Sequence, residues 1–213
     1  MQTMNGRSPP DARGSSLRSR LREATGAAIL DAAEEVFADK GLHAAHMNDI
    51  AAKAGVAVGT LYNHFKDRDA LLDALMRERR SGMMQVIDDF LELPSSGVFR
   101  DDLLALMQSI AGYLDHHRRF HHILHQCDLG AGLAAYPVTA ASSAEMKQLM
   151  YGRLDRIMKR GVEQQALRPE LEAYYSSILM GVLRSARQQQ REIGSEHLPV
   201  EEIVRFFMEG AGA

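Results

Sequence analysis

The stretch DIAAKAGVAVGTLYNHFKDRDALL, Asp49 to Leu72, carries Thr60, Tyr62, Asn63 and His64 in one short helical segment. A solvent-facing helix usually favours Glu and Lys; hydroxyls, an amide and an imidazole suit contact with a partner's polar groups. Asn can pair bidentately with adenine, Thr can hydrogen-bond a base or phosphate, and Tyr and His can hold phosphate oxygens. At about 100° per residue, Leu61 and Phe65 fall on one face with Val56 beside them, while Gly59 and Asn63 point the opposite way. The bare backbone at Gly59 permits close approach. Lys66 and Arg68 follow just past the helix, placed for phosphate. Anchoring by a few apolar residues with short polar groups opposite is what entry into a DNA major groove requires.

A second cluster, YLDHHRRFHHILHQCD, holds His116, His117, His121, His122 and His125 beside Cys127 and Asp128. Histidine is a common metal ligand. His117, His121 and His125 share a helical face, but the outer two are about 12 Å apart along the axis at 1.5 Å rise per residue. One helix therefore gives at most two of them to one ion. A solvated or partly packed polar face is the expectation, with no metal site assigned. Neither a Gly-rich phosphate loop, nor HExxH, nor a nucleophile elbow occurs, so no catalytic residue, cofactor or enzymatic activity is expected.

These residues must be positioned by helices. Ile29, Ala32, Ala33, Val36 and Phe37 recur at helical spacing, and Lys40-Gly41 supplies a cationic last turn and a stop. The spacing predicts short helices over about 47–54 and 58–64, joined by Gly55-Val56-Ala57 in a helix-turn-helix. Asp67 sits where the N-cap of a long following helix belongs, with Asp69 in its first turn. Pro94-Ser95-Ser96-Gly97 ends that helix. Further helical patterns cover roughly 99–115, 117–127, 140–165, 170–191 and 199–209, and no sustained period-two alternation occurs. The fold class is all-α.

Composition is that of a globular protein, 213 residues with 46% hydrophobic and 25% charged. The single cysteine, Cys127, excludes an intrachain disulfide and suits a reducing cytosol. No secretory leader is evident. The longest uncharged run, Leu129 to Ala144, contains Gly, Pro and Ser and is too short to span a bilayer. A cytoplasmic protein with no membrane partner is expected. The net charge of −3 argues against a surface generally coated for nucleic acid. However, the first 22 residues hold five Arg and one acid. Residues 1–20, rich in Gly, Ser and Pro, read as a disordered basic arm.

The segment AILDAAEEVFADKGLHAAHMNDIAAKAGVAVGTLYNHFKDRDALL resembles the N-terminal DNA-binding domain of the TetR family of bacterial transcriptional regulators. The resemblance rests on Ala32-Ala33, Phe37, Gly41, Ile50-Ala51, Ala54-Gly55-Val56, Gly59-Thr60-Leu61-Tyr62 and Phe65 in order and at matching spacing. It implies a helix-turn-helix domain at 21–68 and an effector-binding and dimerisation domain at 69–213. It further implies a homodimer on palindromic double-stranded operator DNA, modulated by a small-molecule effector, with repression the family's commonest mode. Asn48, Gly59, Thr60, Tyr62, Asn63, His64 and Lys66 would meet the DNA. The chain departs from the family at His46 and Ala57, where hydroxyl caps are usual, and at Val58, a position that is often polar. The other reading of the chain is a helical small-molecule or metal-binding protein that does not act on DNA.

Two stripes near the C-terminus suit the dimer. Tyr175, Ile178 and Val182 align on one helix beside Gly181 and Ser185, and Ile203, Phe206 and Phe207 mark the last helix. A glycine inside a helix costs roughly 1 kcal/mol relative to Ala, and close approach by another helix is a natural reason for Gly181. The resemblance implies that both helices pair with their symmetry mates. Effector-pocket candidates are Met107, Tyr113, His117, His121, Met146, Met150 and Tyr151, since methionine conforms to irregular apolar ligands.

Overall fold

A computed structural model describes residues 12–120, 123, 137–195 and 197–211. Among the described residues, regular structure is entirely helical: α1 Ala12–Lys40, α2 Met47–Ala54, α3 Val58–His64, α4 Arg68–Glu92, α5 Phe99–His116, α6 Pro137–Glu163, α7 Tyr175–Ile193 and α8 Val200–Ala211, with a short 3-10 helix at Pro169–Tyr174. The chain divides into two compact units, Met1–Leu75 and Met76–Ala213, the division falling inside α4.

In the first unit, α1 turns Ile29, Ala33 and Phe37 fully inward and α2 does the same with Ile50 and Ala51. α1 packs on α2, and α2 on α3. Ion pairs reinforce the first contact, Lys40 to Asp49 at 2.9 Å and Lys53 to Glu35 at 2.6 Å. α1 starts inside the 1–20 segment expected to be a disordered arm. Residues 12–20 are helical because Arg18, Leu21, Arg22 and Glu23 continue the helix, with Ser19 Oγ donating to Glu23 Oε1 at 2.9 Å one turn on. Residues 1–11 of the arm lie outside the described residues.

In the second unit the core joins Leu103, Leu106, Met107 and Ile110 of α5 to Leu154, Ile157 and Met158 of α6, Leu179 and Leu183 of α7, and Val204 and Phe207 of α8. α5 packs on α8, and α7 touches both α6 and α8. Two glycines admit close neighbours. A Cβ at Gly82 of α4 would lie 2.4 Å from Tyr113 Oη, and one at Gly161 of α6 would lie 2.7 Å from Phe99 Cζ. The notch at Gly82 lets Tyr113 donate to the Arg79 carbonyl at 2.6 Å. A two-pronged pair, Arg153 Nε to Asp88 Oδ1 at 2.6 Å and Nη2 to Oδ2 at 2.9 Å, ties α6 to α4. This guanidinium holds the Asp88 carboxyl below the usual aspartate range. None of the described helices is long and apolar enough to cross a membrane.

Candidate nucleic-acid interface

The short helix α3 is held from both ends. Gly55 terminates α2 at φ 68°, where its N–H reaches Ala52 O at 3.2 Å and the Val56 N–H reaches Ala51 O at 3.0 Å. That left-handed stop favours glycine and reverses the chain within three residues. At the far end Asp67 caps α4, its Oδ1 accepting from the Ala70 N–H at 2.8 Å. Between these stops Leu61 is wholly buried, and burying such a side chain is worth about 1.5–3 kcal/mol. A seven-residue helix is marginal alone, so this anchor and the flanking stops fix it.

With Leu61 inside, the other face is open. Tyr62 is 50% exposed; Gly59 and Asn63 are exposed, and Thr60 is half-buried. A Cβ at Gly59 would meet nothing within 4 Å, so packing among the described residues does not demand glycine there. Asn48, in the first turn of α2, and Lys66 are exposed as well. Val58, 40% exposed, offers only apolar contact. His64 is half-buried, its ring lying against α1: Nδ1 is 3.5 Å from where a Gly26 Cβ would stand. α3 itself carries no acidic residue.

Neither short helix gains a side-chain hydroxyl cap. Ala57 leaves α3 without one. At α2, Asp49 reaches back instead and accepts from the His46 N–H at 3.4 Å. Bonding to Lys40 holds the Asp49 carboxyl below its ordinary range, so it stays ionised in the first turn of α2, where a negative charge is favoured.

One expectation is corrected. Arg68 is not turned toward phosphate: its Nη1 donates to Leu42 O at 3.0 Å and His43 O at 3.3 Å, and Nη2 lies 3.5 Å from Asp69. Carbonyls in the turn after α1 are left without helical partners, and a guanidinium satisfies two of them at once. Sequence spacing showed where Arg68 sits along the chain but not which way its long side chain folds. The contacts of Asp49 with His46 and Lys40, and of His64 with α1, were likewise not foreseen. The i,i+3 spacing of His46 and Asp49 is a local signal for the first of these contacts alone.

The second unit carries an apolar groove of about 140 Å³ lined by Leu171, Tyr175, Ile178, Val182, Phe206, Phe207 and Gly210. Ile178 is 44% exposed and Phe206 68%, with Gly181 and Ser185 exposed alongside. Tyr175, Ile203 and Phe207 are instead buried within the unit. Tyr175 donates to the Arg168 carbonyl at 2.8 Å and meets the edge of Phe207 at 5.9 Å between centroids. A Cβ at Gly181 would meet no atom within 4 Å, so nothing among the described residues requires that glycine.

The effector-pocket candidates are placed as follows. Met107 is fully buried in the core and Met150 packs against it partly buried. The rings of Tyr113 and His117 meet at a tilt of 54° with centroids 4.6 Å apart, and Tyr151 is half-buried. His121 lies outside the described residues, as do His122, His125 and the side chain of Met146. No metal-ligating cluster occurs among the described residues.

Residues 29–75 match the model of the bacterial regulatory proteins of the tetR family. The chain is 28% identical over 144 residues to the transcriptional repressor KstR2 of Mycobacterium tuberculosis, covering 68% of this chain and 70% of that one. The chain belongs to the TetR family. Other TetR relatives agree: the fatty acid metabolism regulator protein of Bacillus subtilis is 38% identical over 61 residues, 29% of this chain and 31% of that one. In fold, the regulator PfmR of Thermus thermophilus superimposes with a TM-score of 0.66 at 22% identity, covering 85% of this chain and 94% of that one. FadR of Bacillus halodurans does so at 0.71 and 21% identity, over 87% and 95%. As a TetR protein the chain is a ligand-responsive, DNA-binding transcriptional regulator rather than an enzyme.

Proposed function

We propose that the chain represses transcription as a homodimer that straddles a palindromic operator and responds to a small-molecule effector. Asn48, Gly59, Thr60, Tyr62, Asn63, His64 and Lys66 make the DNA contacts. The observation that carries this reading is the two-sidedness of α3: Leu61 is buried and Tyr62 beside it is half-exposed, with open space above Gly59. Thr60, Tyr62 and Asn63 read or position, and Lys66 takes phosphate as a point charge. His64 acts from the edge of the surface, since its ring also supports α1.

One head contacts few base pairs, so specificity needs two, spaced by about 34–36 Å on one face of the duplex. The groove carrying Ile178 and Phe206 supplies the dimer contact, with Gly181 and Ser185 admitting a partner helix at close range. Tyr175, Ile203 and Phe207 support that surface from beneath. The effector sits among the helices of the second unit, near Met107, Tyr113, His117, Met150 and Tyr151, and shifts the dimer between states of different DNA affinity. The relatives include the repressor KstR2 and an activator, FasR of Mycolicibacterium smegmatis, and fatty acid metabolism is the business of the Bacillus subtilis regulator and fatty acid degradation that of FadR of Bacillus halodurans. An acyl-bearing effector is therefore the first class to screen. A gel shift with the intergenic DNA beside the chain's own coding sequence tests the reading. Specific retardation that survives moderate salt and is relieved by an effector supports it; retardation no stronger than on unrelated DNA refutes it.

A further inference from the structure

At the C-terminal ends of α5 and α7 lies a cavity of about 280 Å³ lined by Asp115, Arg118, Arg187, Gln190, Arg191, Gly194 and Ser195. Three arginines and one aspartate thus line it. Arg187 forms the floor, its side chain only 11% exposed, and it donates through Nη1 to Asp115 Oδ1 and, at 3.2 Å, to Gln190 Oε1. Gln190 is itself buried. An arginine carries five N–H donors in a rigid fork. Both bonds use one nitrogen, so Nε and Nη2 keep three N–H groups available. Arg118 and Arg191 stand exposed at the rim, with no acidic partner among the described residues.

Electrostatics favours an anion here. Asp115 neutralises one guanidinium, which leaves two unbalanced positive charges around the cavity. The opposing contributions are the C-terminal ends of α5 and α7, each carrying roughly half a negative charge. Together they offset about one of the two charges, so the cavity stays net positive. Arginine's planar fork matches carboxylate and phosphate oxygens, and a partly enclosed floor weakens the competition from water. The volume is near the lower limit of ligand pockets, which suits a small molecule.

We propose that this cavity is a binding site for a small oxyanion, a ligand carrying a phosphate or carboxylate group. Arg187, oriented by Asp115 and Gln190, receives the anionic group, and Arg118 and Arg191 close over it. Because α5 and α7 both contribute to the core of the second unit, occupancy stabilises that unit directly.

The test is calorimetric titration of the full chain, without DNA, using inorganic phosphate and separately citrate at constant ionic strength. Saturable binding of at least one anion is expected, phosphate marking a phosphate-bearing ligand and citrate a carboxylate-bearing one. The double variant R118Q/R191Q, which alters only exposed side chains, should fold normally and bind roughly tenfold more weakly or worse. The single variant R187Q should abolish the signal. No saturable heat with either anion, or equal binding by the wild-type chain and the folded double variant, overturns the proposal. The outcome is independent of DNA binding, since no residue of α3 lines the cavity.

Discussion

Arg68 Nη1 donates to the carbonyl of Leu42 at 3.0 Å, fastening the start of α4 to the turn that follows α1. Lys66, two residues earlier, is exposed. Two cations almost adjacent in sequence thus have opposite employment, one internal and one facing outward.

Their variants should separate accordingly. R68A removes a charged donor from two carbonyls and should lower the stability of the first unit by about 1–3 kcal/mol, read as a lower urea midpoint. K66A should leave that midpoint unchanged, weaken DNA binding across sequences, and reduce the slope of log K against log salt by about 2, roughly one for each protomer of the dimer. An R68A chain as stable as wild type would show that the carbonyl contacts contribute nothing.

The dimer reading makes Phe206 decisive. It is 68% exposed in the single chain, so F206E should not disturb the protomer's own core. In the dimer it would put a charge into an apolar contact. The expected result by light scattering is a monomer where the wild-type chain is a dimer, together with loss of specific operator binding. A dimer of unchanged mass would place the interface elsewhere.

The pair between Asp88 and Arg153 predicts a pH dependence. Its folded-state carboxyl is depressed, first by bonding to Arg153. A depressed carboxyl stabilises fully above its unfolded value and loses that contribution as pH falls through the folded value. D88N should therefore be less stable than wild type at neutral pH, with the gap closing as the solution becomes acidic below the ordinary aspartate range. Denaturant midpoints across pH 7 to pH 3 would reveal it; a constant gap would mean the pair is not what the substitution removes.

Much of the first unit was legible because its signals are local. The bounds of α2 and α3, the glycine stop at Gly55 and the cap at Asp67 each follow from residues within a turn of one another. So did the inward direction of Leu61. What could not be read depends on distance or on side-chain reach. Arg68 finds carbonyls 25 and 26 residues away, and the Gly82 notch is explained only by Tyr113, 31 positions later in the chain. The start of α1 at Ala12 was obscured for another reason: Gly14, Ser15 and Ser16 lower helix propensity, but the run from Leu17 to Glu23 carries the helix through. On the last two helices, spacing identified apolar stripes but could not separate Phe206, exposed, from Phe207, buried beside it.

The most direct measurement is operator affinity of Y62A and T60A beside the wild-type chain, by fluorescence anisotropy at fixed salt, with thermal unfolding followed in parallel. Both side chains flank Leu61 outside the fully buried core, Tyr62 exposed and Thr60 half-buried, so unfolding should be little changed. Affinity for the palindrome should fall by about 1–3 kcal/mol for each of the two half-sites, toward the level seen on unrelated DNA. Full operator affinity in both folded variants would contradict the assignment of α3 as the helix that reads the duplex.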